Sequence, residues 1–401
     1  MDNPNLLKND KPLQLVESMF IRLAQEDVKE ANKMLQEVIN DLVDRMRMKN
    51  SLFEKAYNKV VFCGSFYKGT KISEPNEFDI NIVLNLRKYI IHPNDMKLDF
   101  IEPGFVGIQI IDNLDDPVSP RYILTEGEKK QLRRIIDNNN YLDPHKFRSW
   151  FEGIISGFIS EVPLTYSKSY KFVKTKKSGP AFTLLFKNYD YQREFSIDIV
   201  PVLTFDTRCV IGRTINSEFT NKEWFAVSIS QKISSLPLWR QSYVYQENEI
   251  LSLNGRIKQT IRLMKKLRDT HKWTSIASYF IETVFLNKLP DIKEILNTTS
   301  TTWLFYVMLK EMYRCFQQHT IKYFWDDEYN LLSRIKKAEM INITGRLQNI
   351  IKQIERNAPS DPFIVAKLIL GQQEFELLME EYYRKEFENM NINDDDQARN
   401  R

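Results

Sequence analysis

The stretch Ser73-Glu-Pro-Asn-Glu-Phe-Asp-Ile-Asn-Ile-Val-Leu84 is turn-rich at its start and runs directly into an alternating apolar strand. Residues two apart in a strand share a face, so Phe78, Ile80, Ile82, Leu84 and Leu86 line a core face. Glu77 and Asp79 then project together from the other face. Two neighbouring carboxylates repel unless a cation sits between them.

Upstream, Val60-Val-Phe-Cys-Gly-Ser-Phe66 reads as a strand that ends in Gly64-Ser65, after which Phe66-Tyr-Lys-Gly-Thr70 returns the chain. A glycine followed by a serine at a strand end lets backbone N-H groups and a hydroxyl approach phosphate oxygens. Downstream, Arg193-Glu-Phe-Ser-Ile-Asp-Ile-Val-Pro-Val-Leu203 is a third strand. Phe195, Ile197 and Ile199 take one face, and Asp198 stands between Ser196 and Val200 on the other. A lone Gly-Ser is an ordinary turn, and an isolated Glu-x-Asp is a solvated strand edge. Their joint order and strand context point instead to a two-metal nucleotidyl-transfer site. Glu77, Asp79 and Asp198 are the expected catalytic residues and the ligands of two Mg²⁺ or Mn²⁺ ions, hard cations that take oxygen donors. Gly64 and Ser65 are the expected phosphate contacts.

Gly64-Ser-Phe-Tyr-Lys-Gly-Thr-Lys-Ile-Ser-Glu-Pro-Asn-Glu-Phe-Asp79 closely resembles the nucleotidyltransferase signature of the animal cyclic GMP-AMP synthase (cGAS) and cGAS-like receptor family. The resemblance continues through Trp239-Arg-Gln-Ser-Tyr243, Glu247-Asn-Glu-Ile-Leu251 and Ile261-Arg-Leu-Met-Lys-Lys-Leu267. It also includes Ser278-Tyr-Phe-Ile-Glu-Thr-Val-Phe-Leu286 and Tyr323-Phe-Trp-Asp-Asp-Glu-Tyr-Asn-Leu-Leu332, and spans roughly residues 15 to 385. It implies nucleotide contacts at Gly64, Ser65, Arg240, Ser242, Glu247, Lys265, Ser278 and Tyr279, the tyrosine stacking on a base. Taken without the family, Tyr279 in its apolar run reads as core, and Arg240 beside Trp239 as a surface cation packed on an indole.

The activity implied is the joining of ATP and GTP into a cyclic dinucleotide of the cyclic GMP-AMP type, switched on by nucleic acid in innate antiviral signalling. The DNA-sensing vertebrate relative carries a zinc thumb of histidine and clustered cysteines just before the Leu-Met-Lys helix. Here Ile250-Leu-Ser-Leu-Asn-Gly-Arg-Ile-Lys-Gln-Thr-Ile261 holds neither residue type, so no structural zinc is expected. Within the family that departure favours double-stranded RNA over DNA as activator. The net charge of +4 argues little by itself; its distribution matters more. Lys168, Lys171, Lys174, Lys176 and Lys177 interleave with Tyr166, Tyr170 and Phe172, while Arg256, Lys258 and Arg262 mark a helical stretch. Both are candidate RNA-binding surfaces, and both also read as solvated faces. Duplex RNA would be recognised by shape, with weak sequence specificity and steep salt dependence.

The expected fold is α+β and bilobed. Residues 1–10 form a flexible N-terminus, 11–50 a spine helix, 51–235 a mixed-sheet nucleotidyltransferase core, 236–386 a helical C-terminal lobe and 387–401 a flexible tail. The helix rests on Val28, Ala31, Leu35, Val38 and Leu42, spaced three and four apart. Strands are expected near 60–63, 78–86, 106–111, 170–175, 181–187, 194–203 and 208–214, with a helix across Gly127 to Asn138. From about 245 the pattern is helical, with breaks at Pro290 and Pro359-Ser-Asp-Pro362. The start lacks an apolar signal-peptide core and no run of eighteen apolar residues occurs, so no membrane association is expected. Cys63, Cys209 and Cys315 are few and scattered, which suits a reducing, cytoplasmic setting. Oligomeric state stays open, a ligand-induced homodimer included. Two other functions stay open beside the cyclase: a catalytically inactive scaffold of the same fold, and an enzyme that adds nucleotides to an RNA 3′ end.

Overall fold

The computed structural model describes residues 7–399 except 73, 112–123, 160–164, 167–169, 179–180, 189–193, 207–221 and 230–233. The chain divides into two compact units: a helical one of Met1–Leu23, Thr70–Glu74 and Leu251–Arg401, and a sheet-bearing one of Ala24–Gly69 and Pro75–Ile250. Among the described residues no helix is long and apolar enough to cross a membrane.

The N-terminal helical run is not one spine. It begins in the helical unit with α1 (Lys11–Val16) and a π-helical turn at Glu17–Ile21, and resumes in the sheet unit as α2 (Gln25–Lys49). The Arg22 N-H donates to the Glu17 carbonyl, after which Arg22 and Ala24 are extended, with ψ of 129° and 139°. No glycine or proline marks the break. On its N-terminal side Leu13, Val16, Ile21 and the Glu17 carboxylate are buried in the helical unit, and the Arg262 guanidinium donates to that carboxylate. Residues 7–10, expected as flexible, are tied in the same way. Asp10 accepts from the Thr301 and Thr302 N-H groups, and Ser300 Oγ donates to the Leu7 carbonyl.

The sheet unit continues through α3 (Ser51–Ala56), β1 (Tyr57–Cys63), α4 (Gly64–Tyr67), β2 (Glu77–Leu84), α5 (Leu86–Tyr89), β3 (Met96–Asp99) and β4 (Phe105–Ile110). Then come α6 (Glu126–Arg134), α7 (Pro144–Ile159), β5 (Thr165–Tyr166), β6 (Tyr170–Ser178), β7 (Ala181–Asn188), β8 (Glu194–Asp206), β9 (Glu223–Val227), β10 (Leu238–Ser242) and α8 (Val244–Ser252). The strands order as β3-β4-β10-β9-β8-β7-β6-β5, with β2 added beside β8 and β1 beside β2. Only β2 and β8 pair in parallel among these described strands. β8 carries β2 on one flank, and β7 followed by β9 on the other. Phe78, Ile80, Ile82, Ile197, Ile199, Leu184 and Phe186 are buried on one face of the central strands, as alternation requires. The expected strand at 208–214 lies outside the described residues.

Three boundaries move. The sheet unit extends past 235, because β10 pairs with both β4 and β9. α6 stops at Arg134 and not at Asn138, because the Asp137 carboxylate accepts from the N-H groups of Asn139 and Tyr141 and turns the chain. The last helix does not end at 386. The helical unit runs α9 (Gly255–Thr270), α10 (Ser278–Ile292), α11 (Thr301–Gln317), the hairpin β11 (Lys322–Tyr323) and β12 (Asp326–Asn330), α12 (Lys337–Asn357), α13 (Ile364–Ile369) and α14 (Gln372–Arg399). No glycine or proline interrupts α14, and Arg384 pairs with Glu381 and Glu388 one turn away on either side. α10 likewise carries Pro290 inside its last turn and ends two residues later.

Candidate active site

Strand pairing assembles the carboxylates. Asp79 lies opposite Asp198 across β2 and β8, and Glu77 opposite Ser196. On the other flank of β8, Asp198 lies opposite Thr183, whose Oγ donates to Asp198 Oδ1 at 2.5 Å. Paired residues share a sheet face, so Glu77, Asp79 and Asp198 project together, as the alternation of β2 and β8 predicts.

Gly64 follows β1 and closes directly over this row. A Cβ built on it would lie 1.7 Å from Asp79 Oδ2, and its φ is +70°. Both the close approach and the left-handed backbone demand glycine. Ser65 occupies the next position in the single turn of α4. Further along the same face, Val61, Cys63, Val83, Val202, Phe225, Val227 and Val244 form a buried cluster, with Val200 and Tyr245 packed against it. This apolar floor adjoins the carboxylate row. Burial raises the Asp198 pKa above the ordinary carboxylate value; the Thr183 hydrogen bond opposes that, Glu77 adds to it and Lys176 opposes it. The Cys63 thiol is pushed up to about 12, first by burial and then by Asp79, so it stays protonated and unreactive.

Arg240 lies opposite Val227, and Ser242 opposite Phe225, on this same face. Glu77, Asp79, Asp198, Arg240 and Ser242 therefore lie on one face of the sheet, with Gly64 against Asp79. Arg240 is exposed, so packing on the Trp239 indole is not its role: that ring points to the other face, where its N-H donates to the Leu142 carbonyl at 2.9 Å.

Other expected contacts are engaged in the fold. Glu247 on α8 is buried and pairs with Lys68 at 3.1 Å, within a pair whose side chains are 8% and 5% exposed. Lys68 had no sequence signal, since its partner is 179 positions away. Removing one member of a buried pair typically costs 3–5 kcal/mol. Glu247→Ala is accordingly expected to lower stability by about 3 kcal/mol, as read by urea denaturation. In the helical unit, Lys265 is buried and donates to the Thr70 carbonyl at 3.0 Å and to its hydroxyl at 3.2 Å, with Glu282 at 3.4 Å. Ser278 Oγ accepts from Arg268 at 2.9 Å, and Tyr279 packs 6.4 Å from Tyr323.

The RNA candidates separate by position. Arg256 donates to the carbonyls of Leu296 and Thr299, and Arg262 to Glu17, so both guanidiniums turn inward in the helical unit. The Lys258 pKa is lowered, by burial and by Arg262. Lys168 lies outside the described residues. On β6 a bulge between Phe172 and Lys174 resets the alternation. Lys171, Lys174 and Lys176 consequently share the carboxylate face, opposite Lys187, Leu185 and Thr183, while the Lys177 backbone pairs with Phe182.

Among the described residues no three His, Cys, Asp or Glu side chains form a closed group able to hold a metal ion. Asp198 is meanwhile tied by the Thr183 hydroxyl on the β7 flank of β8. The donor set still fits Mg²⁺ or Mn²⁺: three carboxylates on two adjacent strands supply hard oxygens only.

Residues 66–253 match the Mab-21 protein nucleotidyltransferase domain, and residues 256–349 the Mab-21 protein HhH/H2TH-like domain. A cyclic GMP-AMP synthase-like receptor of Microplitis demolitor is 32% identical over 375 residues, covering 90% of this chain and 68% of its own. One of Aethina tumida is 31% identical over 393 residues, covering 94% and 95%, and one of Ctenocephalides felis is 30% identical over 398, covering 93% and 91%. With the acidic row and the glycine turn in place, these matches make the chain a nucleotidyltransferase that belongs to the cyclic GMP-AMP synthase-like receptor family.

Proposed function

We propose that this chain senses double-stranded RNA and joins ATP and GTP into a cyclic dinucleotide of the cyclic GMP-AMP type, as a cytoplasmic signal of infection. The observation that carries the reading is the register of Asp79 with Asp198, with Gly64 closed over Asp79. An inactive scaffold has no use for three clustered carboxylates over an apolar floor. The names of the relatives support the product class, and the stretch from Ile250 to Ile261, free of Cys and His, supports RNA over DNA.

Glu77, Asp79 and Asp198 would hold Mg²⁺ or Mn²⁺. When bound, such ions supply Lewis-acid activation of a ribose hydroxyl and offset charge on the departing pyrophosphate. Gly64, through its backbone, and Ser65, through its hydroxyl, hold the triphosphate. Arg240 and Ser242 orient the nucleotides on the same sheet face. The ribose oxygen bonds to the α-phosphorus of the second triphosphate, and the bond to pyrophosphate breaks in line. A second transfer between the reversed ends of the linear product closes the ring on the same carboxylates. Activation by RNA would shift the turn at Gly64–Ser65 toward its competent arrangement, which requires that RNA bind that arrangement more tightly.

The test is incubation of purified protein with labelled triphosphates and Mg²⁺ or Mn²⁺, without nucleic acid, with double-stranded RNA, or with double-stranded DNA. A phosphatase-resistant dinucleotide formed only with RNA is the expected outcome. Formation only with DNA would reverse the activator assignment. Extension of the RNA 3′ end would make the chain a terminal transferase, and absence of any product would favour the scaffold.

A further inference from the structure

The pairing of β6 with β7 extends the carboxylate row to a cation. Across four strands in register, Asp79 faces Asp198, Asp198 faces Thr183, and Thr183 faces Lys176. In the neighbouring row, Glu77, Ser196, Leu185 and Lys174 align in the same way. Adjacent strands stand about 4.8 Å apart, so Lys176 begins about 10 Å from the Asp198 backbone. Its four-carbon stem spans more than one strand spacing and can bring the ammonium over Thr183.

We propose that Lys176 is a nucleotide-binding residue of the transferase site, holding the polyphosphate of a nucleoside triphosphate laid along this row, and is not an RNA contact. The assignment rests on the nucleotidyl-transfer reading of the carboxylates. Of the lysines on this face of β6, Lys176 stands in the row of Asp79 and Asp198, whereas Lys174 stands in the row of Glu77 and Ser196 and Lys171 further along. An RNA backbone docked on this face would lie against Glu77, Asp79 and Asp198, whereas a nucleotide polyphosphate is the anion that a cation-loaded carboxylate row accommodates. The β6 bulge is what places Lys176 here: without it, Lys171 and Lys176 would point to opposite faces.

The test compares wild type, Lys176→Ala and Lys176→Arg by calorimetric titration with a non-hydrolysable ATP analogue and Mg²⁺, and by anisotropy with fluorescent double-stranded RNA. Lys176 is exposed, so neither variant should perturb folding; melting curves verify this. The alanine variant is expected to bind the analogue about 10-fold more weakly or worse, the loss of one charge-assisted contact. The arginine variant should recover most of it, and RNA affinity should stay unchanged. Equal analogue affinity in the alanine variant would overturn the assignment, as would a fall in RNA affinity with analogue binding intact. Wild-type protein that does not bind the analogue would overturn it too. Because binding is read directly, a protein that makes no cyclic dinucleotide yet shows the alanine loss would sink the cyclase reading and leave the Lys176 assignment standing.

Discussion

Asp198→Asn is expected to lower nucleotidyl transfer more than about 100-fold, beyond the 10–100-fold typical of residues that merely support a metal ligand, and at the same time to raise the melting temperature. The first effect follows from its place in the row opposite Asp79. The second follows from its environment. Burial and the Glu77 charge raise its pKa in the folded chain, against the Thr183 hydrogen bond and Lys176. The native state then binds a proton at Asp198 more tightly than the unfolded chain does, so stability falls as pH rises through the native pKa. Above the native pKa the ionised side chain carries that cost in full. Below the unfolded carboxylate value, near 3.9, both states are protonated and the wild type loses its disadvantage. Asparagine keeps an oxygen for the Thr183 hydroxyl without the charge. Melting curves in a chelator at pH 7 and pH 4 test this: a gain at pH 7 that shrinks at pH 4 is expected. A variant less stable at both would show that the ionised carboxylate stabilises the fold.

Gly64→Ala should be nearly as damaging to catalysis, for a steric reason. The added methyl would sit 1.7 Å from Asp79 Oδ2, and the left-handed backbone at φ +70° adds strain of roughly 1–2 kcal/mol for a residue with a Cβ. Either the α4 turn or the Asp79 carboxylate must move. A misplacement of about 1 Å at a reacting centre can cost about 100-fold, so synthesis should drop by that order while RNA binding persists. Initial rates beside RNA anisotropy measure both. Wild-type rates in the alanine variant would show that Gly64 does not close on Asp79 in the working enzyme.

Much of this site was legible because strand periodicity is a local property. The alternation around Glu77, Asp79 and Asp198 assigns them a face wherever the strands are placed, and Gly64-Ser65 announces a turn through its lack of a Cβ. What stayed hidden depends on partners remote in the chain. Glu247 and Lys265 read as nucleotide contacts, while their pairing with Lys68 and Thr70 left no mark in the sequence. Arg256 and Arg262 read as a basic face, yet backbone carbonyls and Glu17 take their guanidiniums. The break at Arg22–Ala24 carries no glycine or proline to announce it.

The sequence by itself determined the shared face of Glu77 and Asp79, the glycine turn and the alternating strands, since each follows from neighbours within a few residues. Only the tertiary structure decided that Asp79 stands opposite Asp198, that Thr183 ties Asp198 toward β7, and that a one-residue bulge turns Lys176 toward both. The β2–β8 register joins segments more than a hundred residues apart, and a shift of one residue would send every side chain to the other face.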